Sequence, residues 1–118
     1  MMRHSLLATL VLLLFTAPHL QAQKVRPGFA QSLIVDVRTP KEFEHGAATG
    51  AINIPLGTIK NNYQRLQGQR QVVVYCHSGI RAMFAAGMLR RHGIKPVVNA
   101  GNKNIVMRRL RKEAAARQ

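Results

Sequence analysis

Apolar residues change their spacing repeatedly along this chain, and each change predicts an element. Leu6 to Phe15 is an apolar run broken only by Thr9. From Ser32 to Val37 the residues are mostly apolar and partly β-branched and predict the first strand. Ala51 to Ile54 predicts a second, shorter strand, closed by Pro55. Ile59, Tyr63 and Leu66 recur at helical spacing, and Gly68 ends that face. Val72 to Tyr75 is the next β-branched run and predicts the core strand. Beyond Cys76 the period switches. Ala82, Ala85, Ala86 and Leu89 fall at offsets of three, four and seven, the stripe of a helix that starts at Arg81. It stops at His92-Gly93, with the glycine in the left-handed cap position. Gly87 inside it costs about 1 kcal/mol against alanine and predicts a close approach to the sheet. Pro96-Val97-Val98 predicts another strand, and Asn99 to Asn102 its exit turn. Met107, Leu110 and Ala114 line one edge of a frayed helix in a basic tail.

Strands that alternate with helices predict an α/β domain. Its central sheet is mostly parallel and carries helices on both faces. In such sheets ligands bind beyond the carboxyl ends of the strands, where Asp36, Cys76 and the 99–102 turn all fall. A chain of 118 residues supports one core. The first block stands apart from it. Arg3, the short apolar run, Pro18 and Leu20-Gln21-Ala22 make the pattern of a cleaved signal peptide over residues 1–22. The run is well short of the roughly 20 apolar residues that span a bilayer. Residues 23–31 then read as a polar lead-in, 32–107 as the domain, and 108–118 as a basic C-terminal tail. Export to the periplasm is the expectation.

Charge narrows the partners. Eighteen Lys and Arg face four Asp and Glu, a formal +14 that becomes +13 once Arg3 leaves with the signal peptide. Such a balance raises nucleic-acid binding. Export argues against it, as does the lack of aromatic residues interleaved with the basic ones. Small anionic substrates or weak association with an anionic membrane surface fit better, with plain solubility an equal alternative. A single cysteine forbids an intramolecular disulfide. His45, His77 and His92 with no paired-cysteine spacing make no zinc site, so no metal is expected.

The candidate chemistry lies at the change of period. Cys76 lies in the turn between the core strand and the helix, and Arg81 follows it after His77, Ser78, Gly79 and Ile80. The start of a helix favours an anion through its unpaired N–H groups and dipole, and so favours thiolate over thiol. Peptide N–H groups of residues 77–80 can curl around a small anion as a nest. Gly79 permits the required backbone, and Arg81 adds a planar, permanently charged fork. Such a site suits a small oxyanion attacked by sulfur. Asp36 read alone is equally a turn former at a strand end.

These residues carry a resemblance. Cys-His-Ser-Gly-Ile-Arg-Ala at 76–82 resembles the active-site loop of a rhodanese, a sulfurtransferase. Leu33 to Arg38 with Glu42-Phe43 resembles that family's first signature, and Gly50 to Pro55 its second. The three occur in the family's order. The resemblance implies a single rhodanese-like domain in which Cys76 takes sulfur from thiosulfate, or a similar donor, as a persulfide. The sulfur then passes to cyanide or a thiol, with no cofactor. It implies that His77, Ser78, Gly79, Ile80 and Arg81 bind the anionic substrate, and that Asp36, beside Arg38, helps position the loop. A non-catalytic persulfide carrier or binding module is the alternative. Three departures from the family pattern stand out. The strand and helix that usually precede the first signature have little room here. Gly46-Ala47-Ala48 stands where a histidine is common. Asn102 replaces the second of two glycines, at a position where a left-handed backbone would suit it less well.

Overall fold

The computed structural model describes residues 25–118, so the proposed signal peptide, 1–22, lies outside the described residues. Four strands form one sheet: β1 (Leu33–Asp36), β2 (Ile52–Asn53), β3 (Val72–Cys76) and β4 (Val97–Asn102). Their spatial order is β2-β1-β3-β4, and every pairing is parallel. β3 is central, and all five of its residues are buried.

Strand pleating divides the core into two layers. Val72, Val74 and Cys76 face one layer together with Val35 and Val37. That layer is closed by α2 (Ile59–Asn62) and α3 (Ile80–Arg91), with Ile59, Ala82, Ala85, Ala86 and Leu89 pointing in. Val73 and Tyr75 face the opposite layer with Ile34, where Phe29, Ala100 and Val106 cover them. The second layer is closed by α4 (Lys103–Ala115) and the 3-10 turn Phe29–Gln31. Helices therefore lie on both faces, as the pattern predicts.

Several elements differ from the sequence expectation, each for a local reason. Between β1 and β2 the chain forms a helix not drawn from the apolar pattern, α1 (Pro40–Glu44), opened by Thr39-Pro40. Thr39 Oγ1 accepts from the Glu42 N–H, the Glu42 carboxylate accepts from the Thr39 N–H, and Pro40 occupies the first helical position. The stripe over 59–66 is not one helix. It splits into α2 between two 3-10 turns, Leu56–Thr58 and Tyr63–Leu66, though Ile59 and Leu66 are buried as the spacing requires. Gly87 does not approach the sheet: a Cβ there would meet only the Arg91 guanidinium, at 3.6 Å. The close approach is made by Ala82, Ala85 and Ala86. The end of α3 follows the pattern closely. Gly93 has φ 80°, its N–H donates to Arg90 O, and the Ile94 N–H donates to Leu89 O, a Schellman cap.

The exit of the last strand also differs. β4 continues to Asn102, because a register shift against β3 lets it pair past Asn99 to Asn102, opposite Cys76. Gly101, with φ 81°, takes the left-handed angle at this irregularity. Asn102 is extended, with φ −135°, so no left-handed backbone is asked of it; it caps α4 by accepting from the Ile105 N–H. The tail is not frayed either. α4 runs without a break across 107 and 108 to Ala115, with Val106 buried beneath it. Burial of that valine contributes about 1.5–3 kcal/mol. Glu113 reaches back to accept from the Phe29 N–H at 2.6 Å, tying the lead-in to the tail helix.

Candidate active site

Cys76 is the last residue of β3 and is 1% exposed, while His77, Ser78 and Ile80 beyond it are exposed. The thiol therefore lies at the floor of the loop. Gly79 caps α3 with φ 95°, a left-handed angle that swings the loop N–H groups inward. Its own N–H lies 2.9 Å from Cys76 Sγ. Burial opposes ionisation of the thiol, but the backbone N–H groups of Ala82, Gly79, Ser78 and Arg81 outweigh it. The Cys76 pKa is held below its ordinary value. We expect alkylation of Cys76 by iodoacetamide to persist to lower pH in the folded protein than in the urea-unfolded chain. Coincident pH profiles would show that the loop does not stabilise the thiolate.

The loop is held from two sides. Asn99 Nδ2 donates to Gly79 O, and the Gly101 N–H donates to Asn99 Oδ1. A Cβ on Gly79 would stand 3.3 Å from Gly101 Cα, so the loop and the strand exit pack backbone to backbone. On the other side, Arg81 is half-exposed and clamped by Glu42. Its two terminal nitrogens donate to the two carboxylate oxygens at 2.7 and 2.9 Å. The Arg81 hydrogen bond is the main reason that the Glu42 pKa is drawn down to about 2. Because that value lies below the ordinary 4.5, the pair is complete above pH 4.5 and is lost as pH falls through about 2.

Asp36 and Arg38 form a support one step away. Asp36 is fully buried, and its carboxylate accepts from the Arg38 N–H, Nε and Nη2 and from the Tyr75 hydroxyl, at 2.7–3.0 Å. Tyr75 in turn accepts from the Ala48 N–H at 2.9 Å. Burial, above all, pushes the Tyr75 phenol up to about 12, so it stays protonated and donates to Asp36. Arg38 Nη2 also donates to Gly46 O, and its guanidinium lies 5.6 Å from the Tyr75 ring centre. Asp36 pairs with Tyr75 across the sheet, and Tyr75 is the residue before Cys76. The network thus fixes the base of the loop without touching the thiol.

The structure brings residues 76–81 into one loop and places Asp36 and Arg38 behind its stem. Reading along the chain did not single out Glu42, Tyr75 or Asn99 as loop supports. Glu42 stands in the first signature and in a capping box with Thr39, and neither speaks to Arg81. Among the described residues no group of three His, Cys, Asp or Glu side chains could hold a metal ion.

The arrangement is that of a small, all-parallel α/β domain presenting one ionisable thiol within a ring of peptide N–H groups. The chain belongs to the Rhodanese-like domain family, whose model matches residues 18–102. It is 35% identical over 81 residues to the putative sulfur carrier protein YrkF of Bacillus subtilis (strain 168), covering 68% of this chain and 44% of YrkF. It is 34% identical over 88 residues to the thiosulfate sulfurtransferase PspE of Escherichia coli (strain K12), covering 72% of this chain and 85% of PspE. A solved structure of rhodanese with anions from E. coli is 32% identical, with a TM-score of 0.57, over 62% of this chain and 88% of that one. The chain spans 64%, 44% and 63% of the length of three curated relatives, YrkF among them, so it matches only part of each. Sulfurtransferases and sulfur carriers are both named among these relatives.

Proposed function

We propose that this protein is an exported thiosulfate sulfurtransferase that carries sulfane sulfur as a persulfide on Cys76. The observation that carries the reading is the Gly79 N–H at 2.9 Å from Sγ, in a loop that lowers the thiol pKa. In the first half-reaction the Cys76 thiolate attacks the outer sulfur of thiosulfate. The S–S bond breaks and its electron pair leaves with sulfite. The terminal persulfide sulfur keeps one negative charge, stabilised in this proposal by the loop N–H groups of 77–80 and by the charge of Arg81, whose terminal nitrogens Glu42 holds. In the second, cyanide or a thiol attacks that terminal sulfur, and the electron pair of the broken bond returns to Sγ. This is covalent catalysis that needs no metal or organic cofactor. Asp36 and Arg38 act as positioning residues, through Tyr75 and the end of β1. Residues 1–22 direct export to the periplasm, and the basic surface favours small anions and weak contact with anionic lipid.

Loop length separates this reading from a phosphatase of related form. Four residues between Cys76 and Arg81 enclose a thiol-bound sulfur, whereas a phosphoryl group needs a wider ring of N–H groups around three oxygens. Steady-state turnover with thiosulfate and cyanide should greatly exceed hydrolysis of an aryl phosphate; the reverse order would overturn the assignment. The named sulfur-carrier relative favours a second reading, a persulfide carrier without turnover. One equivalent of sulfite released in a burst, with no steady state on any acceptor, would establish that instead.

A further inference from the structure

An open cleft of about 330 Å³ lies between α1 and the start of α4, lined by Arg38, Lys41, Glu42, His45, Gly46 and Lys103 among others. It stands on the same sheet edge as the thiol. Arg38 lies two residues past Asp36, the strand partner of Tyr75, and Lys103 directly follows Asn102, the partner of Cys76. Glu42 forms part of both structures, lining the cleft while holding Arg81 at the loop. The cleft and the loop are therefore joined through Glu42.

The charges in the cleft do not balance. Asp36 is neutralised by Arg38, and Glu42 by Arg81, the two ion pairs among the described residues. Lys41 and Lys103 are left as cations with no carboxylate partner there. Lys103 Nζ reaches only Gly46 O, at 3.4 Å, an acceptor already served by Arg38 Nη2 at 2.8 Å. His45 is anchored through Nδ1, which donates to Lys41 O at 2.7 Å. Two ammonium groups across a concave surface match a ligand with more than one carboxylate. Thiosulfate has no need of this volume, since its sulfur must enter the loop itself. A longer molecule can occupy the cleft with its anionic end and still extend a thiol past Glu42 to Cys76.

We propose that the cleft is the acceptor subsite and selects small thiols that carry carboxylates. This rests on the sulfur-transfer reading above. The acceptor thiol gives its proton to the terminal sulfur as its own sulfur attacks there. The bond from Sγ breaks with its electron pair returning to Cys76, and the acceptor leaves as a hydropersulfide. No outside oxidant or reductant is consumed.

Two measurements test the proposal, one of them independent of turnover. Succinate, which carries two carboxylates and no thiol, should give saturable amide shifts at Lys41, Gly46 and Lys103 in low salt. Those shifts should weaken in Lys41→Gln and again in Lys41→Gln/Lys103→Gln. In turnover, the wild-type kcat/KM for mercaptosuccinate should exceed that for 2-mercaptoethanol, and the double variant should lower that ratio about tenfold. Absent succinate shifts at the cleft, or an equal loss for both thiols, would overturn the acceptor subsite. Failure of the wild-type protein to pass sulfur to any acceptor would instead overturn the sulfur-transfer reading, with the succinate titration still reporting on the cleft.

Discussion

Cys76→Ser is expected to remove sulfur transfer, lowering kcat by at least about a thousandfold, while leaving the fold in place. The loss is large because no other side chain in the chain can form a persulfide: Cys76 is its only cysteine. A serine hydroxyl in the same loop ionises far above the thiol and holds no sulfane sulfur. The fold is expected to survive because the change replaces one atom, and the backbone N–H groups that face Sγ from the loop can bond an oxygen in its place. Gly79 can donate to the serine oxygen as it does to Sγ. A cost of about 1 kcal/mol at most would lower Tm by roughly 4–8 °C in a domain of this size. Turnover, circular dichroism and intact mass after thiosulfate treatment should be read together. The wild-type protein should gain the mass of one sulfur atom and the variant none. Appreciable turnover by a folded Cys76→Ser protein would remove Cys76 as the nucleophile.

The parts of this site that could be read along the chain are those that are local in it. The change from an unbroken β-branched run to a period of 3.6 straddles Cys76, so the strand, the loop and the helix start all announce themselves within one short stretch. The buried face of α3 follows from the same local spacing, and Gly93 marks its end for a steric reason confined to one residue. What escaped is set by pairing between distant strands. Tyr75 reads as one more apolar strand residue until β1 lies beside it and puts Asp36 under its hydroxyl, 39 residues away. Glu42 reads only as part of the first signature until α3 brings Arg81 to it, also across 39 residues. The register shift in β4 is equally invisible, because it depends on how 99–102 meets β3. That is why a stretch expected to be an exit turn continues the strand, and why Asn102 serves as a cap. Gly87 misled for a different reason: its neighbours Ala82, Ala85 and Ala86 already provide the small surface that the sheet requires.

The Asp36 network carries the largest expected effect on stability. Asp36→Ala should destabilise the domain by about 3–5 kcal/mol, because it leaves the Arg38 guanidinium nearly buried without its counter-charge. The Tyr75 hydroxyl would lose its acceptor at the same time, although it would keep the Ala48 N–H as a donor to it. Arg38 has one other bond to fall back on, to Gly46 O, and a carbonyl dipole does not replace a carboxylate. Tyr75→Phe separates the two contributions. It preserves the ion pair but removes two hydrogen bonds, the one to Asp36 and the one from the buried Ala48 N–H, so it should cost about 1–3 kcal/mol, less than Asp36→Ala. A network that supports the loop should also pass strain to the residue after Tyr75. Folded Tyr75→Phe protein should therefore show alkylation of Cys76 shifted toward higher pH, as the N–H groups lose their alignment on Sγ. Urea unfolding of both variants, with the alkylation profile of the second, checks the argument. Equal destabilisation by the two substitutions would show that the Asp36–Arg38 pair is worth no more than the Ala48 bond to Tyr75. An unshifted alkylation profile would confine the network to stability and leave the loop to Gly79, Asn99 and Gly101 alone.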